Sequence, residues 1–390
     1  MKLAVICPDA FTAWQFHSSL LLALISHEHR VYVISAPTRV DDVCHLRSAG
    51  IIHIPISFQR FISPRSDLAF LVRLYAILRA HHFDYVHSFN LKCHIYGSCV
   101  AALAGVPNIL GTIEGLGFAY TEPTGLRRRL LVRLIDGLSA IACRLANKVW
   151  FVNSDDLELF AARGIIPRHK AVLIKGCGVN LSEFSVGSID ARALEQVRAD
   201  LGDNGSTATV TMAVARAVWS KGVREFVEAA EQLASVAPYA RFVLLAPREG
   251  DSPQAVPEHY LHDAERRNCN FRWLSTFRRG VREILALSDI FVLPSYYREG
   301  VPKVLMEAMA MGKPIVTTDN VGCRDVVEEG QNGFLVPVRD SAALAGALAL
   351  LLDDPDLRLR FGQHSREKVA REFADTIVVA RVLSEMYAIG

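Results

Sequence analysis

Residues 290–317 read IFVLPSYYREGVPKVLMEAMAMGKPIVT. Ile290–Leu293 is a short, wholly apolar run of the kind buried in a parallel sheet, and it ends in a polar turn. Helical spacing follows over Val304–Met311, Gly312-Lys313-Pro314 interrupts it, and Ile315–Thr317 is a second apolar run. Strand, helix and strand in succession are one repeat of a parallel sheet covered by helices.

The same alternation runs along the whole chain. Upstream, strands are expected at Leu3–Cys7, Val31–Ser35, Ile51–Ile54, Tyr85–His87, Ile109–Thr112, Val149–Val152 and Ala171–Ile174. Gly176-Cys177-Gly178-Val179-Asn180 and a polar stretch to Ser206, broken by one helix at Ala191–Leu201, mark a boundary after residue 178. A second series follows at Thr209–Val214, Phe242–Ala246, Phe271–Leu274, Ile290–Leu293 and Ile315–Thr317, with helical stretches such as Val223–Ala234 between its members. The fold class is therefore α/β, with two doubly wound domains. Ligands of such sheets bind beyond the carboxyl ends of the strands, which makes the cleft between the domains the default site.

Composition agrees with two folded domains. Of 390 residues, 51% are apolar and 22% charged, which excludes disorder as the main state. The eight cysteines are scattered without C-x-x-C pairs, so a disulfide scaffold and a structural zinc site are both unexpected. The start, Met1–Asp9, is too short and too soon broken for a signal peptide, and no apolar stretch is long enough to span a bilayer, so a cytoplasmic protein is expected. The net charge of +2 hides an asymmetry: residues 1–180 hold 19 Lys and Arg against 12 Asp and Glu. No basic run with interleaved aromatics accompanies it, which argues against nucleic acid and leaves an anionic membrane surface open.

Familiar phosphate and nucleophile motifs are missing. No G-x-G-x-x-G follows the first strand, and neither a P-loop nor G-x-S-x-G occurs. Instead Gly300 and Pro302 stand where the helix after Leu293 begins, so the amides of Gly300, Val301 and Lys303 are candidates to face an anion. Glu299 lies in that turn and Glu307 about two helical turns on; carboxylates there suit the hydroxyls of a sugar or ribose. A plain helix-start residue and a solvated face residue are the alternative. Arg216 and Lys221, at the carboxyl end of Thr209–Val214, match the charge of a diphosphate, unless each is an ordinary surface cation.

Taken together, R-x4-K-G (Arg216 to Gly222), E-x7-E (Glu299, Glu307) and Asn332-Gly333-Phe334-Leu335-Val336-Pro337 resemble the retaining glycosyltransferases of family 4, which have the GT-B fold of two Rossmann-like domains. The resemblance implies an acceptor-binding domain over 1–178, a nucleotide-sugar-binding domain over 179–372 and a helix over 373–390 that crosses back onto the first. It implies that Glu299 contacts the donor sugar, Glu307 the ribose, and Arg216 and Lys221 the diphosphate, with the Gly300–Lys303 segment assisting. Phe277 and Arg278 would lie where the base stacks, unless the aromatic ring is core.

Asn90-Leu91-Lys92-Cys93-His94-Ile95-Tyr96-Gly97 and Gly111-Thr112-Ile113-Glu114-Gly115-Leu116-Gly117 are similar to the bacterial N-acetylgalactosaminyltransferases that use polyprenyl-diphosphate-linked saccharides. The implied reaction moves a hexosyl or N-acetylhexosaminyl unit from a UDP-sugar to such an acceptor, with Lys92 and Glu114 on the acceptor side. Many of these enzymes have a His where this chain has Glu114. A sugar-nucleotide hydrolase or epimerase, a soluble acceptor and an inactive sugar-nucleotide-binding subunit are the competing readings.

No metal is expected, because the cations and the helix start can neutralise a diphosphate, and Asp354-Pro355-Asp356 reads as a helix cap. His87 reads as a structural strand residue. Arg127, Arg128, Arg129 and Arg133, grouped with apolar residues over Gly125–Ile135, suggest peripheral contact with the inner face of a membrane; the alternative packs Leu130, Leu134 and Ile135 on the sheet.

Overall fold

A computed structural model of the chain describes residues 1–38, 40–59, 63–121, 125–201, 208–248, 250, 252, 254–275 and 281–389. The chain divides into two compact units. One comprises Met1–Gly178, Glu299–Val301 and Asp375–Gly390, the other Val179–Arg298 and Pro302–Ala374.

The first unit is built on β1 (Lys2–Asp9), β2 (Arg30–Ala36), β3 (Ile52–Pro55), β4 (Tyr85–Phe89), β5 (Asn108–Ile113), β6 (Lys148–Phe151) and β7 (Ala171–Leu173). They form a parallel seven-stranded sheet in the order β3-β2-β1-β4-β5-β6-β7. Strand alternation sorts the core: Leu3, Val5 and Cys7 pack with the helices Ala10–Ser26 and Asp375–Met386, while Ala4 and Ile6 pack with Pro64–His81, Leu91–Ala104 and Leu126–Leu145 on the opposite face. Each fully buried Leu, Ile or Val contributes about 1.5–3 kcal/mol, so both faces must be covered.

The second unit holds β8 (Ala208–Ala213), β9 (Ala240–Leu245), β10 (Phe271–Leu274), β11 (Ile290–Leu293), β12 (Ile315–Thr318) and β13 (Gly333–Val336), a parallel sheet in the order β10-β9-β8-β11-β12-β13. β13 is a strand that the sequence pattern does not predict. It is four residues long, starts with glycine, and leaves Phe334 and Leu335 only partly buried at the sheet edge. Apolar periodicity is too weak to announce it.

Strand order reverses between β1 and β4 in the first sheet and between β8 and β11 in the second. At such points the chain leaves neighbouring strands in opposite directions, opening a crevice at their carboxyl ends.

His87 is buried in β4, with Nδ1 2.7 Å from Tyr387 Oη and Nε2 2.7 Å from the Thr112 hydroxyl. Its role is to join the C-terminal segment to the first sheet. Burial lowers its pKa well below the ordinary value, and lowers that of buried His94 from 6.5 to about 4. Because the folded chain resists protonation at these sites while the unfolded chain accepts it, their stabilisation is present above pH 6.5 and is lost as pH falls towards 4. We expect the urea midpoint to fall between pH 7.5 and pH 5, with His94 alone accounting for about 2 kcal/mol, and His94→Gln to narrow the gap. An unchanged gap would remove His94 from this account.

Candidate functional site

In the second unit the residues at the carboxyl ends of β8 and β11 are fixed by the backbone. After β8 the chain turns through Arg216, makes one 3-10 turn over Trp219–Lys221, and enters the helix Val223–Leu233. After β11, the N–H groups of Tyr296 and Tyr297 both donate to the Ser220 carbonyl at 3.0 Å, tying the two loops together. Asn320 holds the second loop from β12, donating through Nδ2 to the Tyr297 carbonyl at 2.9 Å. Lys221 is thereby placed with its ammonium 5.7 Å from the Tyr297 ring centre. Arg216 and Lys221 are both partly exposed at the strand ends where two cations were expected.

The helix after β11 spans Lys303–Ala310, with Pro302 as its N-cap and no side chain capping it. Only the Lys303 amide of the expected cradle therefore belongs to the helix itself. Gly300 and Val301 are packed into the first unit: a Cβ on Gly300 would stand 2.6 Å from the Glu114 carbonyl oxygen, and Val301 is buried. Asn153 Nδ2 donates to the Glu299 carbonyl at 3.5 Å in the same unit. These residues hold the Glu299 turn by close backbone approach. Glu307 is largely buried with Lys303 Nζ 4.0 Å away, and burial raises its carboxyl from 4.5 to about 7. Phe277 and Arg278 lie outside the described residues.

In the first unit Lys92 follows β4 at the strand-order reversal, but its ammonium is committed. It lies 2.8 Å from Asp67 Oδ1, donates to the Gln59 carbonyl at 2.7 Å and sits over the Phe58 and Tyr96 rings. An acceptor diphosphate at Lys92 would have to share or displace this ion pair. The sequence pattern shows Lys92 and does not show Asp67 reaching it from the helix Pro64–His81. Glu114, at the end of β5, lies 3.0 Å from Nε2 of His17, a fully buried ring whose centre is 3.9 Å from that of Phe89. That contact is off the ring's donor direction and counts as a close polar approach, not a hydrogen bond. His17 sits within an apolar helix, Ala10–Ser26, and no motif marks it.

The basic segment forms the start of the helix Leu126–Leu145. Its inner face is Val132, Ser139, Ala142 and Cys143. Of the alternative packing, only Ile135 lies against the core: Leu130 and Leu134 are exposed, Leu134 by 57%, and with Leu126, Leu138, Ile141 and Leu145 they form an outward apolar stripe. Arg127, Arg129 and Arg133 are exposed as well, whereas Arg128 is partly buried and donates through Nε to the Ala119 carbonyl at 3.4 Å. Asp354 caps the helix Pro355–Glu372, accepting from the Leu357 N–H at 2.8 Å. Among the described residues no three His, Cys, Asp or Glu side chains are grouped to hold a metal.

Gly222 is the most constrained position of the clamp. It has φ +82°, and a Cβ there would stand 2.1 Å from the Pro294 carbonyl oxygen. Gly222→Ala is expected to cost at least about 1–3 kcal/mol, because left-handed backbone and a backbone clash coincide. Denaturation midpoints of the two proteins provide the measurement, and an unaltered midpoint would mean that the loops are not closely apposed.

Comparison with known proteins bears on the family and the fold. A glycosyltransferase family 4 model matches residues 18–183, and a glycosyl transferases group 1 model matches residues 198–368. The N,N'-diacetylbacillosaminyl-diphospho-undecaprenol alpha-1,3-N-acetylgalactosaminyltransferase of Campylobacter jejuni is 28% identical over 384 residues, covering 98% of this chain and 97% of that protein. A UDP-Gal:alpha-D-GlcNAc-diphosphoundecaprenol alpha-1,3-galactosyltransferase of Escherichia coli is 27% identical, covering 80% of this chain and 78% of its own. The crystal structure of Anabaena HepE with UDP and glucose superimposes with a TM-score of 0.79 at 16% identity over all of both chains. The chain is thus an enzyme of the glycosyltransferases, belonging to the lineage in which a family 4 domain precedes a group 1 domain on the GT-B fold.

Proposed function

We propose that this enzyme transfers a hexosyl or N-acetylhexosaminyl unit from a UDP-sugar to a polyprenyl-diphosphate-linked saccharide, with retention of configuration, in the assembly of a surface polysaccharide or glycan. The observation that supports the reading is the Ser220 clamp, which fixes the loop bearing Arg216 and Lys221 against the loop after β11 at the β8–β11 reversal. The names of the Campylobacter and Escherichia relatives, both transferases to diphosphoundecaprenol-linked sugars, support the acceptor class.

In this reading Arg216 and Lys221 stabilise the charge that grows on the departing diphosphate, which is the main electrostatic demand of the transition state. Glu307 accepts hydroxyl protons from the ribose, and Glu299 positions the sugar. The acceptor oxygen bonds the anomeric carbon on the face the diphosphate leaves, and its proton passes to the leaving phosphate oxygen. Because the protein supplies both positive charges, no divalent metal is required.

The acceptor's lipid places the reaction at a bilayer. No helix among the described residues is long and apolar enough to cross one. The helix Leu126–Leu145 offers peripheral attachment, its exposed leucine and isoleucine stripe entering the head-group layer while Arg127, Arg129 and Arg133 meet anionic lipid at the inner face of the membrane. Each such arginine contributes about 1 kcal/mol, which gives a salt-sensitive attachment.

Two experiments test this. With a panel of nucleotide sugars and diphosphoundecaprenol-linked saccharides, release of nucleoside diphosphate should require both substrates and persist in EDTA. Lys221→Ala or Arg216→Ala should lower kcat by roughly 10²–10³ with the fold intact. Full activity in Lys221→Ala sinks the assignment, and release without acceptor at an equal rate makes the enzyme a hydrolase. Anionic liposomes should capture the wild type at low salt. Changing Arg127, Arg129 and Arg133 to Gln, or Leu130 and Leu134 to Ser, should abolish capture; a helix that binds no lipid but dimerises by sedimentation would assign the stripe to a second copy.

A further inference from the structure

The second unit contains a depression of about 410 Å³ lined by Trp219, Arg224, Glu225, Glu228, Tyr296 and Arg339. Its volume lies in the usual range for small-molecule sites, roughly 300–1,000 Å³. The first two turns of the helix Val223–Leu233 supply Arg224, Glu225 and Glu228; the loops after β8, β11 and β13 supply Trp219, Tyr296 and Arg339. None of these side chains has a part in the transfer described above.

The chemistry of the lining is that of a site left unsatisfied. Glu225 is 7% exposed, and among the described residues its buried Oε2 has no hydrogen-bond partner. Burial raises its carboxyl above the ordinary range, as it does the Tyr296 phenol nearby. A buried acceptor without a donor destabilises the fold, and a ligand hydroxyl would relieve it. Glu228 lies one turn along the same helix. Around these acceptors stand two guanidinium groups over aromatic rings, Arg224 at 5.0 Å from the Trp219 ring and Arg339 at 4.3 Å from the Tyr296 ring. Two carboxylates disfavour a phosphate, and four ionisable side chains disfavour an apolar guest. A pyranose ring fits: its hydroxyls donate to Glu225 and Glu228 and accept from the guanidiniums, and its C–H face lies against the aromatic side chains.

We propose that this depression is a second saccharide site, taking an uncharged hexopyranose such as an N-acetylhexosamine residue, and that its occupancy is coupled to the diphosphate loop. The coupling follows from the backbone. Trp219 and Tyr296 line the depression, their neighbours Lys221 and Tyr297 sit together, and the Ser220 carbonyl joins both loops through its two 3.0 Å hydrogen bonds. A sugar that moves Trp219 or Tyr296 therefore moves Lys221. The saccharide site stands independently of the donor assignment, and only the coupling rests on it.

The test is titration of the full chain with N-acetylglucosamine, followed by saturation-transfer NMR and by Trp fluorescence, with and without saturating UDP. Saccharide binding is expected in both cases, with an affinity that UDP alters. By reciprocity the sugar must alter UDP affinity by the same factor. Glu225→Gln should weaken the sugar at least about tenfold, the loss of one hydrogen bond to a charged group, and leave UDP affinity in sugar-free buffer unchanged. Exposed Arg339→Ala should also weaken it, and decides the matter if Glu225→Gln does not fold. Equal binding by wild type and both variants, abolition of sugar binding by UDP, or no binding at all overturns the site. Sugar binding that leaves UDP affinity unmoved overturns the coupling. A wild type that ignores UDP overturns the donor reading instead, with the saccharide titration still read on its own.

Discussion

One carbonyl oxygen organises the second unit. Ser220 is buried, and its C=O accepts from two successive amides of the loop after β11. Buried backbone groups must be paired, and here the pairing is made across the reversal of strand order instead of within a helix or a ladder. The consequence is geometric: Lys221 cannot move without Tyr296 and Tyr297, and the loop after β11 cannot move without the start of the helix Val223–Leu233. Gly222 is what allows the approach, because any Cβ would meet Pro294.

How much of this is legible in sequence depends on the range of the interaction. The parallel strands and their covering helices are announced by local apolar runs, and the cap of Pro355–Glu372 by an Asp-Pro pair, because each depends on neighbours in the chain. β13 escapes because its partner β12 and not its own composition makes it a strand. The cations at Arg216 and Lys221 are visible because motif and strand end coincide. What cannot be read is every contact whose partner is distant: Asp67 against Lys92, His17 against Glu114, and the Glu114 carbonyl against Gly300. Each changes the meaning of a residue that the sequence had singled out correctly as unusual.

The arginine-rich helix shows the same limit from the other side. Its spacing permits two faces, and the interior chose Val132, Ser139, Ala142 and Cys143, small side chains that let the helix lie close to its neighbour Leu91–Ala104. The larger leucines were left outside. Burying them would release more free energy per residue, so an exposed row of them with arginines alongside is costly unless another surface covers it.

Satisfaction of buried polar groups then separates structural from functional candidates more sharply than residue type does. His87 has a partner on each ring nitrogen, and Lys92 has a carboxylate, a carbonyl and two aromatic rings. Glu307 has a lysine at 4.0 Å that does not offset its burial, and its carboxyl rises to about 7 in consequence. Glu225 keeps an oxygen buried without a donor. Folding does not repay such costs by itself, since an apolar side chain of similar size would have avoided them. The two carboxylates stand on different helices of one unit, and the donor that Glu225 lacks is the kind that a sugar hydroxyl provides.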